Sequence, residues 1–260
     1  MTDNLKVTII TVCFNSEETI ADTIKSVISQ NYSNIEHIVV DGASNDKTLE
    51  IVRMFPDNEV LIVSEPDRGI YDAMNKGISL ATGDIVGFLN ADDFYADDNV
   101  IQEIVNVFSD STIEACYSDL VYVDKDNINT VVRYWKSRHY RDGLFSKGWV
   151  PPHPTFFTRR ELYDRLGDFD LTFPIAADFE LMLRFIACNK VKTHYIPHVT
   201  VHMRLGGTSN KSIKNIIRQN IEIRKAIMKN GIKTSVGFYS CRVVDKLTQY
   251  VKKPKYDREY

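Results

Sequence analysis

The chain has 260 residues, 43% hydrophobic and 26% charged, which is enough apolar side chain for one large folded domain and too much for a disordered polymer. Its net charge of −3 is unevenly spread: from Lys211 onward thirteen Lys and Arg stand against four Asp and Glu, while residues 1–210 hold 19 basic and 31 acidic side chains. Cys13, Cys116, Cys188 and Cys241 show no C-x-x-C spacing, which argues against a zinc site or redox pair and predicts buried free thiols in a reducing cytosol.

The opening residues Thr2, Asp3 and Asn4 are polar, and no apolar run approaches the ~20 residues of a membrane span. The expectation is a cytoplasmic protein, soluble or peripheral on a membrane. Val7–Phe14 is a β-branched apolar run, predicted as a buried parallel strand. Asn15 and Glu18 then have capping-box spacing, and Ile20, Ile24, Val27 and Ile28 follow at helical intervals. A strand at His37–Val40 ends in Asp41-Gly42. A helix from Asp46 to Met54, a strand at Val60–Val63, a helix at Tyr71–Ala81 and a strand at Ile85–Leu89 complete the first half. Regular alternation with short joints predicts an α/β fold with a mainly parallel sheet, whose ligands lie beyond the carboxyl ends of the strands.

The second half is less regular. Strands are predicted at Cys116–Val123, Val131–Trp135 and Val199–Arg204, and helices at Arg160–Leu166 and Ala177–Cys188. A loop from Gly148 to Pro154 carries Trp149 and His153. After Gly206-Gly207, Ile213, Ile216, Ile217, Ile221 and Ile223 lie among basic residues in an amphipathic helix. The predicted organisation is one domain over 1–205, with a nucleotide-binding half (1–110) and an acceptor-side half (111–205), followed by a basic helical extension over 206–260.

The strongest local signal is Phe88-Leu89-Asn90-Ala91-Asp92-Asp93, where a strand ends in adjacent carboxylates. Such oxygens suit Mg²⁺ or Mn²⁺, often shared with a substrate's phosphates, although either Asp could instead cap the helix after Ala96. This segment resembles the DXD-type motif of family-2 glycosyltransferases. The resemblance extends to Thr11 and Asn15 in TVCFN, to Val39–Thr48 (VVDGASNDKT, with Gly42 where the family often has a second Asp), to Glu65–Gly77 (EPDRGIYDAMNKG), and to Ile175–Arg184 (IAADFELMLR).

The resemblance implies a GT-A-like (Rossmann-like) fold, an inverting, metal-assisted transfer from a UDP-, dTDP- or GDP-sugar, and roles for particular residues. Asp41 would accept from the imide N–H of uracil or thymine, or from guanine. Asp67 and Arg68 would sit near the base or ribose, and Thr11, Asn15, Asn75, Asn90 and Ala91 around the donor. Asp92 would hold Mn²⁺ or Mg²⁺, with His202 reaching the metal or pyrophosphate from the last strand. Asp178 would be the general base; Ala177 replaces the Glu often paired with it. His153 and Trp149 would lie on the acceptor side. Surface-polysaccharide assembly on a glycan or lipid-linked acceptor is the implied setting.

Other readings weigh less. No G-x-G-x-x-G follows the first strand, against a nicotinamide enzyme, and no Gly-rich basic loop marks a sugar nucleotidyltransferase. A non-catalytic nucleotide-sugar or glycan-binding protein would have lost Asp92 or Asp178, and both are present. The basic segment reads as a solvated face or as an anchor to an anionic membrane surface; nucleic acid is disfavoured because no binding motif accompanies the charge.

Overall fold

In a computed structural model, residues 5–56, 58–206 and 213–251 are described. Thr2, Asp3, Asn4, Gly207, Lys211 and residues 252–260 of the basic segment lie outside them, as do the side chains of Ile213 and Ile216. Strands β1 (Val7–Cys13), β2 (Ile35–Asp41), β3 (Leu61–Ser64) and β4 (Ile85–Phe88) run parallel in the order β3-β2-β1-β4. Every residue of β1 and β4 is buried, because crossover helices cover the sheet faces. Strand alternation sends Ile10 and Val12 into one core and Val7 and Ile9 into another. The helices are α1 (Ile20–Ile28), α2 (Thr48–Val52) and α3 (Ile70–Leu80). The Ile20, Ile24 and Val27 stripe of α1 is buried, at about 1.5–3 kcal/mol per side chain.

The predicted capping box does not form. Asn15 takes a left-handed φ of 50°, and α1 starts after Thr19 with no side-chain cap. Asn15 and Glu17 instead reach across to the loop after β2, as described below.

Beyond β4 follow β5 (Asp93–Tyr95), α4 (Val100–Phe108), β6 (Ala115–Val123), β7 (Val131–Trp135), β8 (Phe157–Arg159), α5 (Glu161–Leu166), α6 (Ala177–Met182), β9 (Thr193–Arg204), α7 (Ile213–Lys229) and α8 (Phe238–Val251). The sheet continues β4-β8-β6-β9-β5, with β7 also on β6. Only its first half is uniformly parallel: β8 is antiparallel to both neighbours, and β5 and β7 are antiparallel as well. The sheet is therefore mixed rather than mainly parallel. Gly87 explains how β8 fits beside β4, since a Cβ there would lie 2.1 Å from the Phe157 ring.

Two predicted elements change length. Strand β9 begins at Thr193, six residues early, because its pairing with β6 shifts register past Pro197 and His198 and so tolerates a proline. The predicted helix to Cys188 is α-helical only to Met182 and continues as a π-helical stretch, Leu183–Cys188. The C-terminal helices are integrated with the fold: Ile223, Ala226, Ile227 and Phe238 join the larger core cluster.

Candidate active site

At the ends of β1 and β2 the polar residues bond to one another. Asn15 Oδ1 accepts from Asn45 N at 2.9 Å, Asn15 N donates to Ser44 Oγ at 2.8 Å, and Ser16 N donates to Thr48 Oγ1 at 2.7 Å. Glu17 Oε2 accepts from Lys47 N at 2.9 Å. Two loops separated by 30 residues are thereby tied together. Asp41 is fully buried in this knot: it accepts from Ser44 N at 3.0 Å, from the Ser44 hydroxyl and from Ser64 Oγ at 2.7 Å. Its lone pairs are taken up inside the protein, so Asp41 supports the loop and is not open to a base N–H. Thr11 is also fully buried, with Oγ1 2.9 Å from His37 Nε2, and does not face a ligand.

Asp67 has the position that Asp41 lacks. It is partly exposed, accepts from Gly69 N at 2.8 Å, and its Oδ2 lies 2.4 Å from where a Gly42 Cβ would stand. Its carboxylate thus fills the space of a side chain at position 42, beside Phe14, which is 57% exposed. Arg68 points into solvent and pairs with Asp72 at 2.8 Å. Asn75 does not point to this region. Its amide accepts from Phe169 N at 3.0 Å and donates to Phe169 O at 2.9 Å, mimicking a strand neighbour and fixing the loop before α6.

After β4 the two adjacent carboxylates differ. Asp93 is fully buried, accepts from Asn90 Nδ2 at 2.9 Å, and is pushed well above the usual carboxylate range by burial and then by Asp92. Asp92 is partly exposed, and its carbonyl accepts from Arg204 Nη1 at 3.1 Å. Ala91 is buried against α1 and β2. Asn90 lines the main cleft, and its Oδ1 is buried with no hydrogen-bond partner. An unpartnered amide oxygen two residues from a carboxylate fits a hard divalent cation that completes its shell with substrate oxygens. Among the described residues no three His, Cys, Asp or Glu side chains gather as a metal site. His202 packs its ring on Phe94 at 5.1 Å, burial holds it down to about 4 with Asp97 countering, and its Nε2 is buried with no hydrogen-bond partner. Like Asp92, it lies outside the cleft lining itself.

The cleft, about 740 Å³, opens between α3, β7, the loop before β8, α6 and α8. Asp178 lines it from the first turn of α6 and accepts from Tyr71 Oη at 3.0 Å. No side chain caps α6 from within; Glu222 of α7 does so, accepting from Ile175 N at 2.8 Å and Ala176 N at 3.1 Å. Asp178 is thus free of a capping role. Burial raises the Tyr71 hydroxyl far above its ordinary range, with Asp178 adding to it, so Tyr71 remains a donor. Glu180 is buried on the other side of α6, bonded to Arg184 and Asn230.

His153 and Trp149 both line the cleft. His153 stacks on Phe88 at 5.3 Å and meets Phe169 edge-on at 5.5 Å, and burial lowers its pKa. Trp149 is 5% exposed, packs edge-on to Tyr117 and Phe145, and has a buried Nε1 with no partner. Trp135 packs against one core cluster and also lines the cleft. Sequence reasoning missed Tyr71, Glu222 and the buried Asp119, which accepts from Ser137 N at 2.7 Å, Tyr195 Oη at 2.7 Å and the Tyr134 hydroxyl. A lone Asp in an apolar strand was the only signal for Asp119, and Tyr71 lies within the Glu65–Gly77 run. Cys13 and Cys116 are buried as expected, but Cys188 is exposed and Cys241 half-buried.

Residues 8–175 match the model of the family described as glycosyl transferase family 2. A PGL/p-HBAD biosynthesis glycosyltransferase of Mycobacterium bovis BCG is 33% identical over 190 residues, covering 71% of this chain and 72% of that protein. The Escherichia coli UDP-Glc:alpha-D-GlcNAc-diphosphoundecaprenol beta-1,3-glucosyltransferase WfaP is 26% identical over 230 residues, or 82% and 84% of the two chains. Among solved structures, the mannosyltransferase PcManGT from Pyrobaculum calidifontis, in complex with GDP-Man and Mn²⁺, superposes with a TM-score of 0.65 at 23% identity. That match covers 93% of this chain and 70% of the other. The likeness shows a GT-A-type fold.

Proposed function

The chain belongs to glycosyl transferase family 2 and is a glycosyltransferase, and we propose that it moves a sugar from a UDP-, dTDP- or GDP-sugar to an acceptor hydroxyl with inversion. One observation carries this reading: Asp178 and Asn90 line a single cleft, so the end of β4 and the first turn of α6 face one reacting space. Asp178 is the general base, oriented by Tyr71 and held at the helix start by Glu222. A single carboxylate there favours in-line attack. Asp67 and the exposed Phe14 form the base site, with Asp41 and Asn15 holding the loop beneath it. Asp92 and Asn90 would hold Mn²⁺ or Mg²⁺ together with the donor's diphosphate, and the cation would offset charge on the leaving nucleoside diphosphate.

The relatives' names support a place in cell-surface glycan assembly with a lipid-linked acceptor. In keeping with that, Val243, Leu247, Tyr250 and Val251 form an exposed apolar stripe on α8, which a peripheral contact with an anionic membrane would cover. Among the described residues no helix is long and apolar enough to cross a membrane. Leu247→Glu should reduce flotation with anionic liposomes while leaving nucleotide binding intact; equal flotation would refute the contact. The central test is a donor screen with Mn²⁺ and with chelator, reading product configuration by NMR. Chelator-insensitive turnover or a retained configuration would overturn the mechanism.

A further inference from the structure

On α8, Arg242, Asp245, Lys246 and Gln249 recur at intervals of three and four and all line the cleft. Strand β7 and the residues after it add Arg133, Lys136 and Arg138. Five cationic side chains and two carboxylates, Asp178 and Asp245, therefore surround one opening, and Asp245 is already paired with Arg138 at 3.3 Å.

The remaining cations have neutral partners or none. Arg133 donates from Nε to Gln249 Oε1 at 2.7 Å and lies 4.4 Å over the Tyr122 ring. Arg242 donates to Gly148 O at 3.0 Å and Asn220 Oδ1 at 3.2 Å. These bonds fix the guanidiniums in place without an ion pair, and only Arg242 has carboxylates, Asp178 and Asp245, near enough to offset part of its charge. Lys246, half-buried, shows no hydrogen bond or ion pair among the described residues. Its pKa is pulled down by burial and then by Arg133 and Arg242, so three like charges converge on one spot. Such an arrangement is costly until an anion joins it.

We propose that Lys246, Arg242 and Arg133 form a cradle for a phosphate or diphosphate carried by the acceptor. The inference rests on the glycosyltransferase reading and names the chemistry of its second substrate. The acceptor is the fitting source because Asp178, which takes the acceptor's proton, lies close enough to Arg242 to stabilise its charge. The donor's own diphosphate is provided for at the end of β4 by Asp92 and its cation. The cradle and the exposed apolar stripe are adjoining faces of the same helix, with Arg133 5.7 Å from the Tyr250 ring, so an anionic head and a lipid tail would meet α8 together.

Both tryptophans of the chain, Trp135 and Trp149, line the cleft and report on its occupancy. Tryptophan fluorescence titrations should use farnesyl diphosphate, farnesol, and each of UDP, GDP and dTDP with Mn²⁺. Farnesyl diphosphate should bind the wild type and farnesol at least tenfold more weakly. Lys246→Gln should weaken farnesyl diphosphate about tenfold or more, and Lys246→Arg should restore it, with nucleoside diphosphate affinity unchanged in both. Absence of farnesyl diphosphate binding, equal affinity in Lys246→Gln, or equal binding of farnesol would overturn the cradle. A parallel loss of nucleoside diphosphate affinity would reassign it to the donor and also overturn the proposal. If the wild type bound none of the three nucleoside diphosphates, the donor reading would fail, while the farnesyl arm would still decide the cradle.

Discussion

At the ends of β1 and β2 polar side chains face one another, whereas around the cleft charged side chains face open space. Asp41, Asn15, Ser44 and Thr48 complete their hydrogen bonds within two loops. Asp178, Lys246 and Asn90 Oδ1 keep capacity for a ligand. Both regions carry motif residues, yet the motif carboxylate in the first is spent on bonds within the protein, and the one in the second is the reactive group of our proposal. Substitutions should separate the two: scaffold changes lower stability with activity following, and cleft changes lower activity with stability preserved.

The largest effect is expected at Asp178. Asp178→Asn retains shape and the contact with Tyr71 while removing the proton acceptor. Turnover should fall by about 10²–10⁴, roughly 3–5 kcal/mol of transition-state stabilisation, with donor binding and melting temperature little changed. Near-wild-type turnover would remove Asp178 as the base. Asp92→Ala comes next, with at least a ~10²-fold loss of metal-dependent turnover from a lost cation ligand. Because Asp92 is partly exposed at a strand end, the fold should persist. A variant still stimulated by Mn²⁺ to the wild-type level would move the metal elsewhere.

Asp41→Asn tests the scaffold. An amide NH₂ would face hydroxyl and N–H donors in a fully buried site, at a cost of about 1–3 kcal/mol. Melting should drop by several degrees, and nucleotide affinity should fall only as the loop loosens. An unchanged melting temperature with nucleotide binding abolished would restore Asp41 as a direct base contact.

The same contrast governs what the sequence made legible. Val7–Cys13, Ile20–Ile28 and Ile85–Phe88 declare themselves through local periodicity and β-branched composition; the two strands end within a residue of expectation, while α1 starts four residues later than an Asn15 cap predicts. Asp178 stands in a motif whose order the sequence shows, and it shares the cleft with His153 and Trp149 from the loop before β8. Whether Asp41 or Asp67 faces outward depends on Gly42 and Ser44, close by in the chain, and on Ser64, which the parallel register of β2 and β3 sets opposite Asp41. The three-residue β8 carries too little pattern to announce itself, and Pro197 conceals the first half of β9. The cradle is least legible of all, since α8 meets β7 across more than 100 residues. Reading 206–260 as an extension missed that its helices wall the cleft and cap α6.

The smallest effect near neutrality, and one that grows on acidification, belongs to His37. It is buried in β2 beside Thr11, and burial holds its ring down to about 3. An unfolded histidine titrates near 6.5, so between about pH 6.5 and 3 the unfolded chain binds a proton that the folded chain does not. Stability should therefore fall as pH drops through that window, by up to ~1.4 kcal/mol per pH unit for this group, and be independent of it above. His202, in the other half and held to about 4, adds a slope of the same sign over a narrower window. His37→Gln keeps a polar partner for Thr11 but cannot charge. It should change melting by a few degrees at most at pH 7.5, and its melting temperature should decline less steeply than the wild type's from pH 6.5 to 4.5. His202→Gln should flatten the same limb, which would assign the acid lability to buried neutral histidines in both halves. Parallel wild-type and His37→Gln curves would mean that the β2 ring gains its proton without unfolding, and would place the acid-sensitive step outside the parallel half.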